Sequence, residues 1–272
     1  MTTPRPRTCD GVRSLWRAWP RVRSVIAAQR RVLFLLDFDG TLAPLARSHR
    51  EVSLPGEIRS LLASFRGRQR AGVAILSGRL LSELRSLVAL PALYYCGNHG
   101  LEIEGPGVSF RHVEAASMRS VVQRLAGRLE RDLERFPGVV LENKGLTLTV
   151  HYRRVPRASL PSLRRLRARL QIEASDLPVR WRSGHEVWDV LPEVPWHKGA
   201  ASLYLMRRFG RSFPIALGDD TTDEDLFAAV RGRGLGIRVG RVEVSQADYY
   251  LGAQPQVARF LREAKAALGG KP

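Results

Sequence analysis

Two carboxylates close the segment Val32-Leu33-Phe34-Leu35-Leu36-Asp37-Phe38-Asp39-Gly40-Thr41, an apolar run that stops abruptly at its acids. One acid of such a pair could hold a metal ion or attack an electrophile while the other moves protons. A second acidic turn, Gly218-Asp219-Asp220-Thr221-Thr222-Asp223-Glu224-Asp225, follows the apolar run Ile215-Ala216-Leu217. If the two runs lie side by side as strands, Asp219 and Asp220 face Asp37, and carboxylates so close repel unless a hard divalent cation joins them. Mg²⁺ suits that oxygen donor set, with water and phosphate oxygens completing its shell. Glu224 and Asp225 read as first-turn acids of a helix, which capping alone explains. Ser77-Gly78-Arg79 ends a further apolar run, and a hydroxyl beside the amides of a helix N-terminus makes an anion site. Lys198, in Trp196-His197-Lys198-Gly199, opens a later helix and could neutralise a phosphoryl group.

The elements that carry these residues alternate. After the strand ending at Asp37 come a helix over Leu54 to Phe65, a buried strand over Val73 to Leu76, a helix over Leu80 to Val88 and a strand over Leu93 to Cys96. This βαβαβ order predicts an α/β fold with a doubly wound parallel, Rossmann-like core, in which ligands sit beyond the carboxyl ends of the strands. The breaker cluster Gly105-Pro106-Gly107 interrupts the pattern. Beyond it lie a strand over Val108 to His112, a helix over Ala115 to Arg135, and strands over Val139 to Glu142 and Leu146 to Tyr152. A helix over Ala158 to Ala174 and strands around Val179 to Arg182 and Glu186 to Val190 follow. Two helices, each with a strand pair, predict an inserted α+β cap over 106–191. The parallel pattern then resumes, assigning 32–105 and 192–272 to the catalytic core and 1–31 to an Arg-rich N-terminal tail and helix.

The formal net charge of +18 is carried largely by arginine, mostly at helical spacing among leucines and without interleaved aromatics. Solvated helix faces explain that pattern, and a basic surface would also attract an anionic phosphate. Cys9 and Cys96 stand in different contexts, so neither a disulfide framework nor a zinc site is expected, and Cys96 reads as a small core residue. No apolar stretch is long enough to span a bilayer and no leader opens the chain, so a cytoplasmic enzyme that uses no membrane is expected.

Taken together, Asp37, Asp39, Ser77, Lys198 and Asp219 resemble the aspartate-nucleophile phosphatases of the haloacid dehalogenase-like superfamily. Within it, Gly97-Asn98-His99-Gly100-Leu101-Glu102, Glu142-Asn143-Lys144-Gly145, His151-Tyr152-Arg153 and the acidic turn from Gly218 look like trehalose-6-phosphate phosphatases. The resemblance implies that Asp37 attacks phosphorus and that Asp39 protonates the departing sugar oxygen, then deprotonates the attacking water. It implies Mg²⁺ held by Asp37, the Asp39 carbonyl and Asp219, with Asp220 and Asp223 close by. It gives the phosphoryl oxygens to Ser77 and Lys198, and further substrate contacts to Thr41 and Arg79. Neighbouring carboxylates would help Asp39 carry its proton. Sugar recognition would fall to Asn98, His99 and Glu102 at the cap junction, and to Glu142, Lys144, His151 and Arg153, the last two alternating along one strand. Asp189 stands where the resemblance leads one to expect glutamate. The same features imply a small sugar phosphate as the only obligatory partner, no obligatory nucleic acid and a monomer without a glycosyltransferase domain. Sucrose 6-phosphate and mannosyl-3-phosphoglycerate are alternative substrates for such a scaffold. A basic nucleic-acid-binding protein on an inactive phosphatase scaffold would have lost at least one of these chemical residues, and all are present.

Overall fold

The computed structural model describes residues 7, 8, 12–46, 51–66, 70–184 and 186–269. Cys9 and much of the expected N-terminal tail lie outside the described residues. The chain divides into two compact units, Met1–Phe110 with Trp196–Pro272, and Arg111–Pro195.

The first unit is built on a nine-stranded sheet ordered Arg13–Ser14, Tyr249–Leu251, Leu235–Val239, Phe213–Gly218, Val32–Asp37, Ala71–Leu76, Tyr94–Gly97, Glu102–Gly105 and Val108–Arg111. The first seven pair in parallel, and Tyr94–Gly97 pairs antiparallel with Glu102–Gly105. Every residue of Val32–Asp37 is buried, because alternate side chains feed two separate cores. Val32, Phe34 and Leu36 pack toward the helices Trp19–Ala27, Gly56–Phe65, Leu81–Val88 and Gln256–Gly269. Leu33 and Leu35 pack toward Lys198–Phe209 and Glu224–Val230 on the other side. The register sets Asp37 beside Leu76 and Leu36 beside Leu217, so Asp37, Ser77 and Asp219 emerge together at the carboxyl ends of adjacent strands. At the amino ends, Arg70 donates to the carbonyls of Ala27, Gln29 and Leu268, tying two helix ends together.

Two boundaries differ from the sequence reading. The Arg-rich lead supplies the edge strand Arg13–Ser14 as well as a helix, and Arg7–Thr8 pairs with Val244–Ser245. The strands flanking Gly105-Pro106-Gly107 also stay in the first unit's sheet, so the second unit begins at Arg111 and not at 106. The glycines and proline make a turn between neighbouring strands of one sheet.

The second unit is a four-stranded antiparallel sheet ordered Val179–Gly184, Val187–Pro192, Leu148–His151 and Val140–Asn143. Its expected first helix is broken at Met118 into Val113–Ser117 and Arg119–Leu133. That second helix and Leu160–Glu173 cover one face, where Val122, Leu125, Leu129, Leu163, Leu166 and Leu170 pack on Leu148, Val150, Trp188 and Val190. The two-residue period of a strand therefore turns Thr149 and Asp189 to the opposite face.

Candidate active site

The first unit's acids converge as the strand register dictates. Asp37, Asp219 and Asp223 each present an atom within 4.8 Å of the others. Lys198, at the first position of its helix, sends Nζ between them, 2.6 Å from Asp37 Oδ1 and 2.8 Å from Asp223 Oδ1. Asp37, Asp223 and Lys198 are all nearly removed from water. Two glycines make room for this packing. A Cβ at Gly40, whose φ is +85°, would fall 2.2 Å from Asp219 Oδ2, and one at Gly218 would fall 2.3 Å from the Asp223 carboxyl carbon.

Three carboxylates against one ammonium would carry two net negative charges if all were ionised, a cost this buried site resists. Burial and the nearby Asp223 push the Asp37 carboxyl well above the usual range, while Lys198 pulls it down. Asp219 is pushed up to about 6, chiefly by burial and by Asp223. Burial lowers the Lys198 ammonium, but Asp223 and Asp37 outweigh it and hold it above the ordinary lysine value. Among the described residues, the buried Asp37 Oδ2 has no hydrogen-bond partner. A divalent cation fits this donor set, because it would offset the two surplus charges and take the orphaned oxygen.

The Asp219 carboxyl gives the metal-free protein a pH dependence whose sign follows from its raised pKa. Its contribution to stability is fully present below its ordinary value of 3.8 and is lost as pH rises through about 6. The affinity of any cation held there would run the opposite way, weakening as pH falls through about 6 and a proton competes for the carboxylate. Thermal unfolding in chelator should therefore show the wild type losing stability relative to Asp219→Asn between pH 4 and 7. Parallel pH profiles for the two proteins would refute this coupling.

The remaining sequence-predicted residues have definite places. Thr41 Oγ1 donates to Asp219 Oδ1 at 3.2 Å, so it orients that acid. Asp220 Oδ1 accepts from the Thr221 amide at 2.7 Å and caps the single turn Thr221–Asp223. It is Asp223, and not Asp220, that joins Asp37 and Asp219. Asp39 does not lie among the carboxylates: Arg79 Nε and Nη2 fork onto it at 2.8 and 2.7 Å, and Ser77 Oγ approaches it at 3.3 Å. Arg79 is backed by Glu83 one helical turn on. The expected help from neighbouring carboxylates at Asp39 is replaced by a guanidinium. Asn98 and His99 both adopt left-handed backbone, with φ of 49° and 59°. Asn98 Nδ2 donates to Glu102 Oε2 at 2.6 Å, and His99 packs so closely on Gly78 that a Cβ there would lie 2.6 Å from its ring. Cys96 is a buried core residue whose thiol burial pushes well above its usual range.

In the second unit the register aligns Glu142, Thr149, Asp189 and Arg182 across the four strands. Thr149 Oγ1 donates to Asp189 Oδ1 at 2.5 Å and accepts from Lys144 Nζ at 2.8 Å. Glu142 Oε2 meets His151 Nε2 at 2.8 Å and stands 3.7 Å from Lys144 Nζ. Asp189 thus belongs to one connected polar row. Arg153 does not share a strand face with His151, because the strand ends at His151 and Arg153 turns to Glu186 at 2.7 Å.

Sequence reasoning missed two further residues. Arg238 reaches the acidic turn from the strand Leu235–Val239, and Glu224, read only as a helix-start acid, is its partner at 3.0 Å. The spacing from Asp219 to Asp223, one turn, was the available signal for the third acid.

A family model described as Trehalose-phosphatase matches residues 35–255. Trehalose-phosphate phosphatase B of Arabidopsis thaliana is 31% identical over 252 residues, covering 86% of this chain and 66% of that protein. The Trehalose-phosphate phosphatase of Mycobacterium bovis is 33% identical over 249 residues, covering 87% of this chain and 61% of that protein. The chain thus spans somewhat less than two thirds of the length of these two relatives. The solved C-terminal domain of the Candida albicans trehalose-6-phosphate phosphatase shares the fold, with a TM-score of 0.77, 22% identity and coverage of 95% and 98%. Among the described residues, no helix is long and apolar enough to cross a membrane.

Proposed function

The chain belongs to the trehalose-phosphatase family, and from that premise we propose that it hydrolyses trehalose 6-phosphate to trehalose and phosphate through a phosphoryl group carried transiently on Asp37. The observation that carries the chemistry is the buried Asp37 carboxylate, bonded to Lys198 through one oxygen and unpartnered at the other, in a cluster of three carboxyl groups around one ammonium.

An Asp37 oxygen attacks phosphorus as the bond from phosphorus to the sugar oxygen breaks. Asp39 gives that oxygen its proton, which requires it to leave part of the Arg79 fork. In the second half-reaction Asp39 takes a proton from water, the water oxygen bonds to phosphorus, and the bond to Asp37 breaks to release phosphate. Arg79 is the residue that aims Asp39, donating to both of its carboxyl oxygens. Lys198, Ser77 and the backbone amides at the start of the following helix hold the phosphoryl oxygens. Asp37, Asp219 and Asp223, with the Asp39 carbonyl, would hold Mg²⁺. When bound, the ion supplies charge stabilisation to the phosphoryl oxygens and keeps Asp37 ionised.

Recognition of the sugar is assigned to the polar row of the second unit. Glu142, Lys144, Thr149 and Asp189 offer donors and acceptors in fixed order, as a polyhydroxyl ligand demands. A phosphate-release panel should therefore show trehalose 6-phosphate preferred over sucrose 6-phosphate, mannosyl-3-phosphoglycerate and monosaccharide phosphates, with activity lost in chelator. Lys144→Ala should lower kcat/KM for trehalose 6-phosphate about 10- to 100-fold, the scale of one charged hydrogen bond, while leaving a small aryl phosphate nearly unaffected. Equal losses on both substrates would remove the row from substrate selection, and absence of release from every sugar phosphate would remove the proposed reaction.

A further inference from the structure

Arg238 lies near the end of the strand Leu235–Val239, in parallel register with Gly218, the residue before the acidic turn. Its side chain is largely buried, and its guanidinium turns onto that turn's backbone. Nη2 donates to the Asp219 carbonyl at 2.5 Å, and Nη1 donates to the Asp220 carbonyl at 3.2 Å and to Glu224 Oε1 at 3.0 Å. Glu224 is itself fixed, accepting from Ser245 Oγ at 2.8 Å and from the Gln246 amide at 2.6 Å. From the other side, Asp223 Oδ2 accepts the amides of Asp219 and Asp220 at 3.0 and 3.1 Å. Both polar backbone atoms of Asp219 and of Asp220 are therefore held, although surface turns ordinarily leave such groups to water.

Such a grip has a physical use here. Asp219 is repelled by Asp37 and Asp223, and a free turn would relieve the repulsion by swinging its carboxylate toward solvent. A planar guanidinium anchored by Glu224 resists that swing, and a lysine ammonium lacks the fork needed to hold two carbonyls and a carboxylate at once. We propose that Arg238 is a positioning residue for the cation site, holding Asp219 aimed at Asp37 and Asp223, with Glu224 as its anchor. This rests on the cation reading above. Arg238 touches no reacting atom.

The test measures Mn²⁺ binding to the full chain, stripped of metal, by the electron paramagnetic resonance signal of the free ion, alongside thermal unfolding. Arg70→Met is the control, since Arg70 likewise clamps three backbone carbonyls but at the amino ends of the strands. Arg238→Lys and Arg238→Met should each weaken Mn²⁺ binding by about 10- to 100-fold, the usual effect of removing a residue that orients a metal ligand. The Mg²⁺ concentration for half-maximal phosphate release should rise in step, with the rate at saturating Mg²⁺ largely kept. Arg70→Met should lower the melting temperature and leave Mn²⁺ affinity unchanged. If Arg238→Met does not fold, Arg238→Lys decides. Wild-type affinity in the Arg238 variants, or an equal loss in Arg70→Met, overturns the inference while the cation reading stands. A wild type that binds no Mn²⁺ removes both.

Discussion

Asp37→Asn should abolish phosphate release, to a level at least about 10⁴-fold below wild type, while the metal-free protein should become more stable at neutral pH. The two effects have one origin. The carboxamide is a poor nucleophile toward phosphorus, so the route through a phosphorylated side chain closes. Yet the wild-type carboxylate is held in an unfavourable place, since burial and the charge of Asp223 both act against its ionisation. Removing that charge relieves the repulsion. Rapid-quench samples of the wild type should contain hydroxylamine-sensitive phosphoprotein, and the variant should contain none. A variant that kept near-normal turnover, or a wild type that released phosphate with no phosphoprotein under any quench, would eliminate Asp37 as the nucleophile.

Lys198→Met should damage both chemistry and fold. Its ammonium is the only positive group bonded to both Asp37 and Asp223 among the described residues. Breaking a buried pair by removing one partner costs about 3–5 kcal/mol, because uncompensated charge stays behind. At the usual scaling for a chain of this size, that is a fall of about 10 °C in melting temperature. If Lys198 holds the phosphoryl oxygens as proposed, loss of its charge should cost a further 10²- to 10³-fold in kcat, roughly what one preorganised donor supplies. Lowering the pH separates the two losses. Protonation of the stranded Asp37 carboxyl, whose pKa burial already raises, should restore stability but not turnover. A variant equally unstable at pH 5 and pH 7 would show that Lys198 acts by packing and not by charge.

How far these residues were legible in the sequence depended on how singular each signal was. A five-residue apolar run ending in two acids has few meanings, so Asp37 and its strand were readable, and the return of the pattern at Ile215 placed Asp219 beside it. Asp223 was harder, because aspartate serves helix starts and metal sites alike, and only the three-dimensional turn shows Asp220 capping while Asp223 turns inward. Arg238 was hidden by composition: one buried guanidinium cannot stand out among 44 basic residues. The fork of Arg79 on Asp39 was invisible for a different reason, since Arg79 lies in the loop that follows a neighbouring strand and only tertiary packing shows which way its side chain points. In the second unit, alternation identified a half-buried sheet, but the row from Glu142 to Arg182 depended on strand register, which local pattern does not specify without the turns.

The pairing of Val32–Asp37 with Phe213–Gly218 has a kinetic consequence. These neighbours are separated in the chain by the whole of the second unit, whose sheet closes through antiparallel partners much nearer in sequence. Contacts of long sequence separation bear the larger loop-closure cost and form late. The central strands must therefore find each other across that whole intervening unit. Asp37 and Asp219 become neighbours only at that closure, so under the proposed function a refolding chain should first capture a divalent cation when its core is complete.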